Sequence, residues 1–501
     1  MSSYPIADTT AAQALGGALR DVGYSESAVH ELLGEDAYSG DEGEAPADER
    51  RLPETRLATV IRLLFLQRPL PTRDVVESLG RRGVEALEAT ALAEVGDEVV
   101  PRVRILPIGK LLVAADGYSR DDDPADYVAL YTPTSRLCDS LTPRPQVARA
   151  LDVGTGSGVH ALLAASHAEH VIATDINARA LAFTELNAAL NGLTNVECRR
   201  GSLFDPVEGE TFDLITCNAP YVVSPEHRWA YRDSGFQADE ISERVVRDAA
   251  AHLSEGGFAT LLVSWLASDE DEPDERVLEW AEKTGCDSWI LPTWDSDPLG
   301  HASEWNSHLE GDPEAFGRAL DEWTKYFEEL GVRWVSEGAV LLHRRPGSGQ
   351  TTRVDSVDED DLDDADEQIQ RAFAARARLS ELDSPDGLLD ARLSLEMPFL
   401  MEQEVEPQGG GAAVVEARIQ LSEGTNSDVE VEPSVLDVVA SLDGRTPLRE
   451  VIRTVADRLG LSKSKTSRLE GDALSATNEL LELGALGLNS TVSGSEPLTR
   501  N

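Results

Sequence analysis

Two stretches first stand out as residue types whose spacing could do chemistry. One is Ala150-Leu151-Asp152-Val153-Gly154-Thr155-Gly156-Ser157-Gly158, where an apolar strand runs into glycines and a helix pattern begins at Val159. Glycine tolerates positive φ and lets a ligand approach the backbone closely. A helix N-terminus offers unpaired N–H groups to a polar ligand. By itself the pattern fits a dinucleotide site or a plain tight turn from strand to helix. The other is Asp175, which ends the run Val171-Ile172-Ala173-Thr174 and lies 17 residues (175 − 158) past the last glycine. A carboxylate ending a second strand can accept hydrogen bonds from two ribose hydroxyls. It could also cap the helix that begins near Ala178. Together the loop and the acid point to an adenosyl ligand without saying which one, because NAD sites use the same geometry.

A third stretch separates the possibilities. Phe212-Asp213-Leu214-Ile215-Thr216-Cys217 reads as a fourth strand and ends in Asn218-Ala219-Pro220-Tyr221. This resembles the Asn-Pro-Pro-Tyr motif of amino-methyltransferases, although Asn218 taken alone reads as a turn residue. The stretch 150–265 is similar to the HemK/PrmC-like glutamine methyltransferases and to the related small-domain rRNA guanine methyltransferases. An extra domain on each side resembles an actinobacterial branch of that family. The resemblance covers the central domain and reaches the flanks only in layout. It implies a class I fold and S-adenosylmethionine as cofactor, held by Asp152, Gly154, Thr155, Gly156, Gly158, Asp175 and Ser202, with Asn218 reaching the methyl. It also implies that Asn218, Ala219, Pro220 and Tyr221 form the catalytic set.

The chemistry accounts for the motif. An amide or aromatic NH2 has its lone pair delocalised into a π-system and is a poor nucleophile. Two acceptors in the NH2 plane, the Asn218 side-chain oxygen and the carbonyl of residue 219, can hold both hydrogens and aim the lone pair at a sulfonium methyl. Tyr221 can stack on the flat acceptor group. That is positioning and electrostatic catalysis, with little need for a strong base. Two positions depart from the family. Ala219 stands where Pro is usual; it keeps the carbonyl and loses the fixed φ. Ser202 stands where Asp usually accepts from the adenine amine, and a hydroxyl is the weaker acceptor.

Beyond the motif, Tyr231-Arg232-Asp233-Ser234-Gly235-Phe236 resembles an acceptor-side loop of the same family, in which Arg232 or Asp233 would contact substrate or form a surface ion pair. All eight tryptophans lie between Trp229 and Trp334, where they line an acceptor cleft or, for most, fill the core. The nine histidines show no clustered spacing, so no metal is expected. Cys138, Cys198, Cys217 and Cys286 form no CxxC pair, which fits a reducing cytoplasm.

These residues need an α/β scaffold. Strand patterns at 150–153, 171–174, 196–199, 212–217, 258–263, 288–291 and 339–343 alternate with helices, as in a doubly wound, Rossmann-like parallel sheet of seven strands. We therefore expect a class I methyltransferase domain over residues 126–345. Residues 1–125 read as a helical, winged-helix-like domain ending in a β-hairpin around Gly109-Lys110. Residues 346–370 read as an acidic linker, and residues 371–501 as a small α+β domain. That last domain shows strands at 391–396 and 413–421, then helical patterns, with a locally basic segment from Arg458 to Arg468.

The 501 residues carry 92 Asp plus Glu against 44 Lys plus Arg, a net charge of −48. Such a surface repels polyanions and argues against broad nucleic-acid binding, which needs Lys and Arg against phosphates. The N-terminus shows no signal peptide, and no apolar run is long enough to span a bilayer. The leading expectation is methylation of a glutamine amide in a protein, of release-factor type and translation-related. Methylation of an exocyclic amine in rRNA, tRNA or DNA uses identical chemistry and stays open, as does a cofactor-binding interaction protein with weak catalysis. An NAD-dependent oxidoreductase is the remote alternative. The sequence does not give the oligomeric state.

Overall fold

A computed structural model of the chain describes residues 4–38, 43, 45–118, 124–218, 220–225, 238–268, 271–347, 349–358, 361–382, 384–408 and 411–489. The chain falls into two compact units. One holds residues 1–139, 144–346 and 352–354; the other holds 140–143, 347–351 and 355–501.

In the first unit, helix α1 (Thr9–Asp21) starts where Asp8 accepts the Ala11 N–H at 3.0 Å, and it buries Ala12, Leu15 and Leu19 on one face. Helix α2 (Thr72–Ala89) packs on it, and a hairpin follows, β1 (Arg104–Ile108) and β2 (Leu111–Ala115). Helix α3 (Pro133–Ser140) leads into the main sheet. Its elements are β3 (Val147–Val153), α4 (Val159–Ala164), β4 (Ala168–Asp175), α5 (Ala178–Leu190), β5 (Val196–Arg200), β6 (Phe212–Cys217), α6 (Glu240–His252), β7 (Leu253–Ala267), α7 (Glu275–Lys283), β8 (Asp287–Ser296), α8 (Pro298–Trp305), α9 (Pro313–Leu330), β9 (Trp334–His343) and β10 (Thr352–Val354). The strand order is β10-β8-β9-β7-β6-β3-β4-β5. Only β9 runs antiparallel to its neighbours. Every strand expected in residues 150–343 lies within an observed one.

The sheet departs from expectation at its edge. It has eight strands, because β10 pairs with β8 in parallel from inside the segment expected to be linker. The open edge of β8 offers unpaired backbone groups, and the alternating Thr352-Arg353-Val354 supplies a partner for them. The expected separation at residue 125 is also not a separation of cores. One apolar cluster joins Leu15, Leu19, Leu87, Ile105 and Val113 to Phe183, Leu186 and Leu190 of α5. Helix α5 is buried nearly all round, so it has a second face to cover besides the one on the sheet.

In the second unit, helix α10 (Asp366–Ser380) begins within the expected linker, its Asp366 and Glu367 in the first turn suiting the helix dipole. Strand β11 (Arg392–Leu395), within the expected strand 391–396, does not pair with the expected strand 413–421. It pairs with β15 (Leu486–Asn489), the last strand among the described residues. The hairpin instead joins β12 (Phe399–Gln408) to β13 (Gly411–Leu421), with β14 (Asp428–Glu430) beyond. The alternating glutamates of β12, Glu402, Glu404 and Glu406, hide its strand character. Helices α11 (Pro433–Val439), α12 (Leu448–Arg458) and α13 (Lys463–Glu482) complete this unit. In its basic segment Arg458 pairs with Asp437 at 2.8 Å and Arg468 with Glu432 and Asp472, while Lys463 and Lys465 are exposed. Among the described residues, no helix is long and apolar enough to cross a membrane.

Candidate active site

Strand register brings the three stretches together. Val153 pairs with Thr174 on one side and with Cys217 on the other, all in parallel. The next residues, Gly154, Asp175 and Asn218, therefore leave the sheet side by side, at strand spacings of about 4.8 Å. The middle strand ends in the glycine loop, one neighbour in the acid and the other in the amide. This is the carboxyl edge of a parallel sheet where the strand order reverses, the place such sheets use for ligands.

The loop turns through positive φ at Gly154 (69°), Gly156 (55°) and Gly158 (86°). At Gly158 a Cβ would stand 2.8 Å from the Thr184 side chain, so α5 passes too close for any larger residue. Much of the loop's hydrogen bonding is internal. Gly154 and Thr155 donate to the Thr174 carbonyl, Gly158 to that of Thr155, and Gly156 to Asp175 Oδ2 at 3.0 Å. The N–H groups expected to face a ligand are thus partly used to hold the loop's shape. Asp152 is also turned inward and is 1% exposed. It accepts from Thr155 Oγ1 at 2.6 Å, Thr216 Oγ1 at 2.9 Å and the Ala161 N–H at 3.1 Å. Asp152 and Thr155 act as a strut between the loop and β6.

Asp175 is half-buried and accepts from Gly156 and, at 2.8 Å, from the Asn177 N–H. Burial pushes its carboxyl above the ordinary aspartate value, and the N–H groups of Asn177 and Gly156 pull it part of the way back. The helix after it is capped by Asn177, whose Oδ1 accepts from Arg179 N, so Asp175 is not needed as the cap. Beside it stands Ile176, 54% exposed, an apolar surface next to the strand-ending carboxylate and not among the residues expected from the sequence. Its signal was the residue directly after the strand-ending carboxylate. Ser202 follows Gly201, whose N–H bonds the Asp175 carbonyl at 3.0 Å, so it stands at the same edge.

On the other side, Asn218 is half-buried and its Nδ2 donates to Thr134 Oγ1 at 3.4 Å. Thr134, in the first turn of α3, was also missed. With Nδ2 turned to Thr134, the opposite end of the amide presents Oδ1, an acceptor. Ala219 lies outside the described residues, as do Trp229 and residues 231–236. Pro220 is half-buried, and Tyr221 is 8% exposed with its carbonyl accepting from Ser264 Oγ at 2.5 Å. Trp265, Trp289 and Trp323 are fully buried core. Among the described residues no group of three His, Cys, Asp or Glu side chains is placed to hold a metal ion.

Comparison with known proteins agrees with this geometry. A family model described as methyltransferase small domain matches residues 132–265, and one described as domain of unknown function (DUF7059) matches residues 21–104. A release factor glutamine methyltransferase of Xylella fastidiosa is 34% identical over 129 residues, covering 23% of this chain and 47% of that protein. A ribosomal protein uL3 glutamine methyltransferase of Bradyrhizobium diazoefficiens is 38% identical over 163 residues, covering 26% of this chain and 51% of that protein. The chain thus spans about half the length of these curated relatives. A methyltransferase structure from Pyrococcus furiosus aligns over 46% of this chain and 89% of its own with 18% identity and a TM-score of 0.28, so the fold assignment rests on the strand order above. Residues 132–265 of this chain thus match the methyltransferase small domain model and are similar to the corresponding part of release factor and ribosomal protein uL3 glutamine methyltransferases.

Proposed function

We propose that this chain is an S-adenosylmethionine-dependent N-methyltransferase whose acceptor is a planar NH2 nitrogen, that of a glutamine side chain in a translation-related protein. The observation behind this reading is the register that sets Asn218 beside Gly154 and Asp175 at one sheet edge. The residues fit the cofactor. Asp175 offers a carboxylate to two ribose hydroxyls, Ile176 an apolar face to adenine, Ser202 a hydroxyl at the same edge, and Gly154 and Gly156 a stretch of backbone without side chains. Bound there, the cofactor supplies an electrophilic methyl on a sulfonium.

The chain's own residues do the rest. Asn218 Oδ1 and the carbonyl of residue 219 accept the two hydrogens of the acceptor nitrogen and hold its lone pair toward the methyl. The nitrogen gains a carbon and releases one proton to water. Tyr221, mostly buried, shapes the floor on which the amide plane lies. Asp152 and Thr155 keep the loop's shape rather than touch the ligand.

A protein acceptor is favoured by the names of the similar proteins and by the net charge of −48. We read residues 1–125 as winged-helix-like and the last unit as a small α+β domain, and place the protein in the cytoplasm.

The test is tritiated-methyl transfer from S-adenosylmethionine into an extract of a strain lacking this chain. Label in protease-sensitive material supports the reading. Label in nuclease-sensitive material would move the acceptor to an exocyclic amine. S-adenosylhomocysteine binding without any transfer would leave a cofactor-binding protein.

A further inference from the structure

Strands β8 and β9 are antiparallel neighbours, which a two-residue turn could join. This chain instead inserts α8 and α9 between them. Because β8 runs parallel to β6, its last residue, Ser296, ends at the edge where Asn218 leaves the sheet, and the inserted helices stand at that edge. An apolar cluster of Val222, Val223, Leu266, Ala302, Trp323, Phe327 and Val335 joins them to the segment just after the Asn218 motif.

At the centre of this cluster is His301, 0% exposed. The rings of Trp294, Trp323 and Phe327 lie 5.8, 5.7 and 5.5 Å from its own. Its Nε2 is 3.0 Å from the Val223 carbonyl. A carbonyl only accepts, so Nε2 carries the hydrogen. Its Nδ1 faces the Glu337 carboxylate at 3.5 Å, and the same carboxylate accepts from Trp305 Nε1 at 2.9 Å. An imidazole in so apolar a place is unfavourable unless its polar atoms are used, and a leucine would fill the space. What the imidazole adds is the bond to Val223. With Ser264 holding the Tyr221 carbonyl, the segment after Asn218 is fixed twice, once from β7 and once from α8.

We propose that His301 is a positioning residue for methyl transfer: through the Val223 carbonyl it holds the backbone that carries Asn218 and Tyr221, with the rings of Trp294, Trp323 and Phe327 packed around it. This rests on the methyltransferase reading of the site. The segment belongs to the acceptor side, so a loosened segment affects turnover and leaves the cofactor pocket as it was.

The experiment compares His301→Gln, His301→Asn and His301→Leu in the full chain. A glutamine amide reaches the place of Nε2 and can still donate to Val223. An asparagine amide reaches only the place of Nδ1. Two readouts are taken: tritiated-methyl transfer into the deletion-strain extract over a dilution series, and hydrogen exchange at the amides of residues 221–225. Expected are a loss of about 10–100-fold in the saturating rate for Asn and Leu, the scale of an ångström-sized misplacement. S-adenosylhomocysteine affinity should stay within about twofold, and Gln should recover most of the rate. Amides 221–225 should exchange faster in Asn and Leu than in Gln, with residues 150–158 unchanged. Equal behaviour of Gln and Asn would reduce His301 to packing and overturn the proposal, and so would wild-type exchange and rate in a folded Leu variant. If wild-type protein labels nothing in any extract, the methyltransferase reading fails by itself, and the exchange pattern alone decides the tie to Val223.

Discussion

Asn187 grips both backbone groups of Ala114: its Oδ1 accepts the Ala114 N–H at 2.8 Å and its Nδ2 donates to the Ala114 carbonyl at 2.8 Å. Four residues on, Asn191 does the same to Leu112, at 2.9 and 2.8 Å. At the other end of the stripe, Arg179 meets Asp116 through two nitrogens in a buried ion pair. Residues four apart on a helix advance about 6 Å, and residues two apart on a strand about 6.7 Å. The side of α5 therefore serves as a neighbouring strand for β2. The second hydrogen of Asn187 Nδ2 goes to the Ser157 carbonyl at 2.9 Å, inside the glycine loop. One buried amide thus ties the N-terminal hairpin to the turn proposed to hold the cofactor.

That tie sets the first prediction. Asn187→Ala strands the backbone groups of Ala114 and the carbonyl of Ser157 in a buried place, each at about 1–3 kcal/mol. Urea denaturation should show a loss of about 3–5 kcal/mol. S-adenosylhomocysteine titration should show weaker binding even in the folded fraction. An Asn187→Ala protein with both quantities unchanged would show that the hairpin and the loop are independent.

Gly158 gives a second. Alanine there must take φ near 86° and place its Cβ 2.8 Å from Thr184. Gly158→Ala should lower stability by about 1–3 kcal/mol and weaken S-adenosylhomocysteine binding. Truncating the neighbour, as Gly158→Ala with Thr184→Ala, should relieve the contact but not the φ strain, so only part of the stability should return. Full recovery in thermal melts would assign the whole effect to the contact.

Asp175 gives a third, with opposite signs for stability and binding. Its carboxyl is raised above 3.8 by burial. A carboxylate raised in the fold contributes its stability fully below the unfolded value of 3.8 and loses it as pH rises through the folded value. At neutral pH the charge is thus a burden on the apo protein. Asp175→Asn should melt no lower than wild type at pH 7, and the difference should close as pH falls toward 3.8. S-adenosylhomocysteine affinity should fall by about 1.5–3 kcal/mol, the scale of hydrogen bonds to a charged group. A variant that melts lower at pH 7 than wild type would show that the carboxylate holds the loop more than burial opposes it.

The positions of Gly154, Asp175 and Asn218 are legible in the sequence because each follows an apolar run, and parallel strands put such run-ends at one edge. Residues that work through neighbours are not legible in this way. Asn187, Asn191 and Arg179 look like the polar side of an ordinary helix until β2 is seen against them. Thr134 sits 84 residues from Asn218 in the chain, and His301 is 78 from Val223. Their positions arise from topology: the first turn of α3 is brought to the residue after β6, and an insertion late in the fold returns to that same edge. The strand Phe399–Gln408 was hidden by glutamates placed where a buried strand would carry apolar residues.

The last prediction separates binding from catalysis at Asn218. Its Oδ1 should hold an acceptor hydrogen more strongly as positive charge develops on the attacking nitrogen, so the interaction belongs mainly to the transition state. Asn218→Ala should lower kcat by about 10²–10³-fold, comparable with losing one oxyanion-hole donor, and leave S-adenosylhomocysteine affinity nearly unchanged. Asn218→Asp keeps an acceptor and should retain more activity than Ala. Thr134 enters the same argument, because its Oγ1 receives Nδ2 and so decides which end of the amide faces the acceptor. Thr134→Val keeps the shape and removes that hydroxyl. It should lower kcat by about tenfold, the weight of one hydrogen bond, without touching cofactor affinity. If Thr134 acts only through Asn218, the double variant Thr134→Val with Asn218→Ala should be no slower than Asn218→Ala alone. Single-turnover methyl transfer with all four variants measures this. Additive losses would give Thr134 a separate role at the acceptor, and a folded Asn218→Ala protein with wild-type turnover would remove the mechanism and leave the cofactor-binding fold.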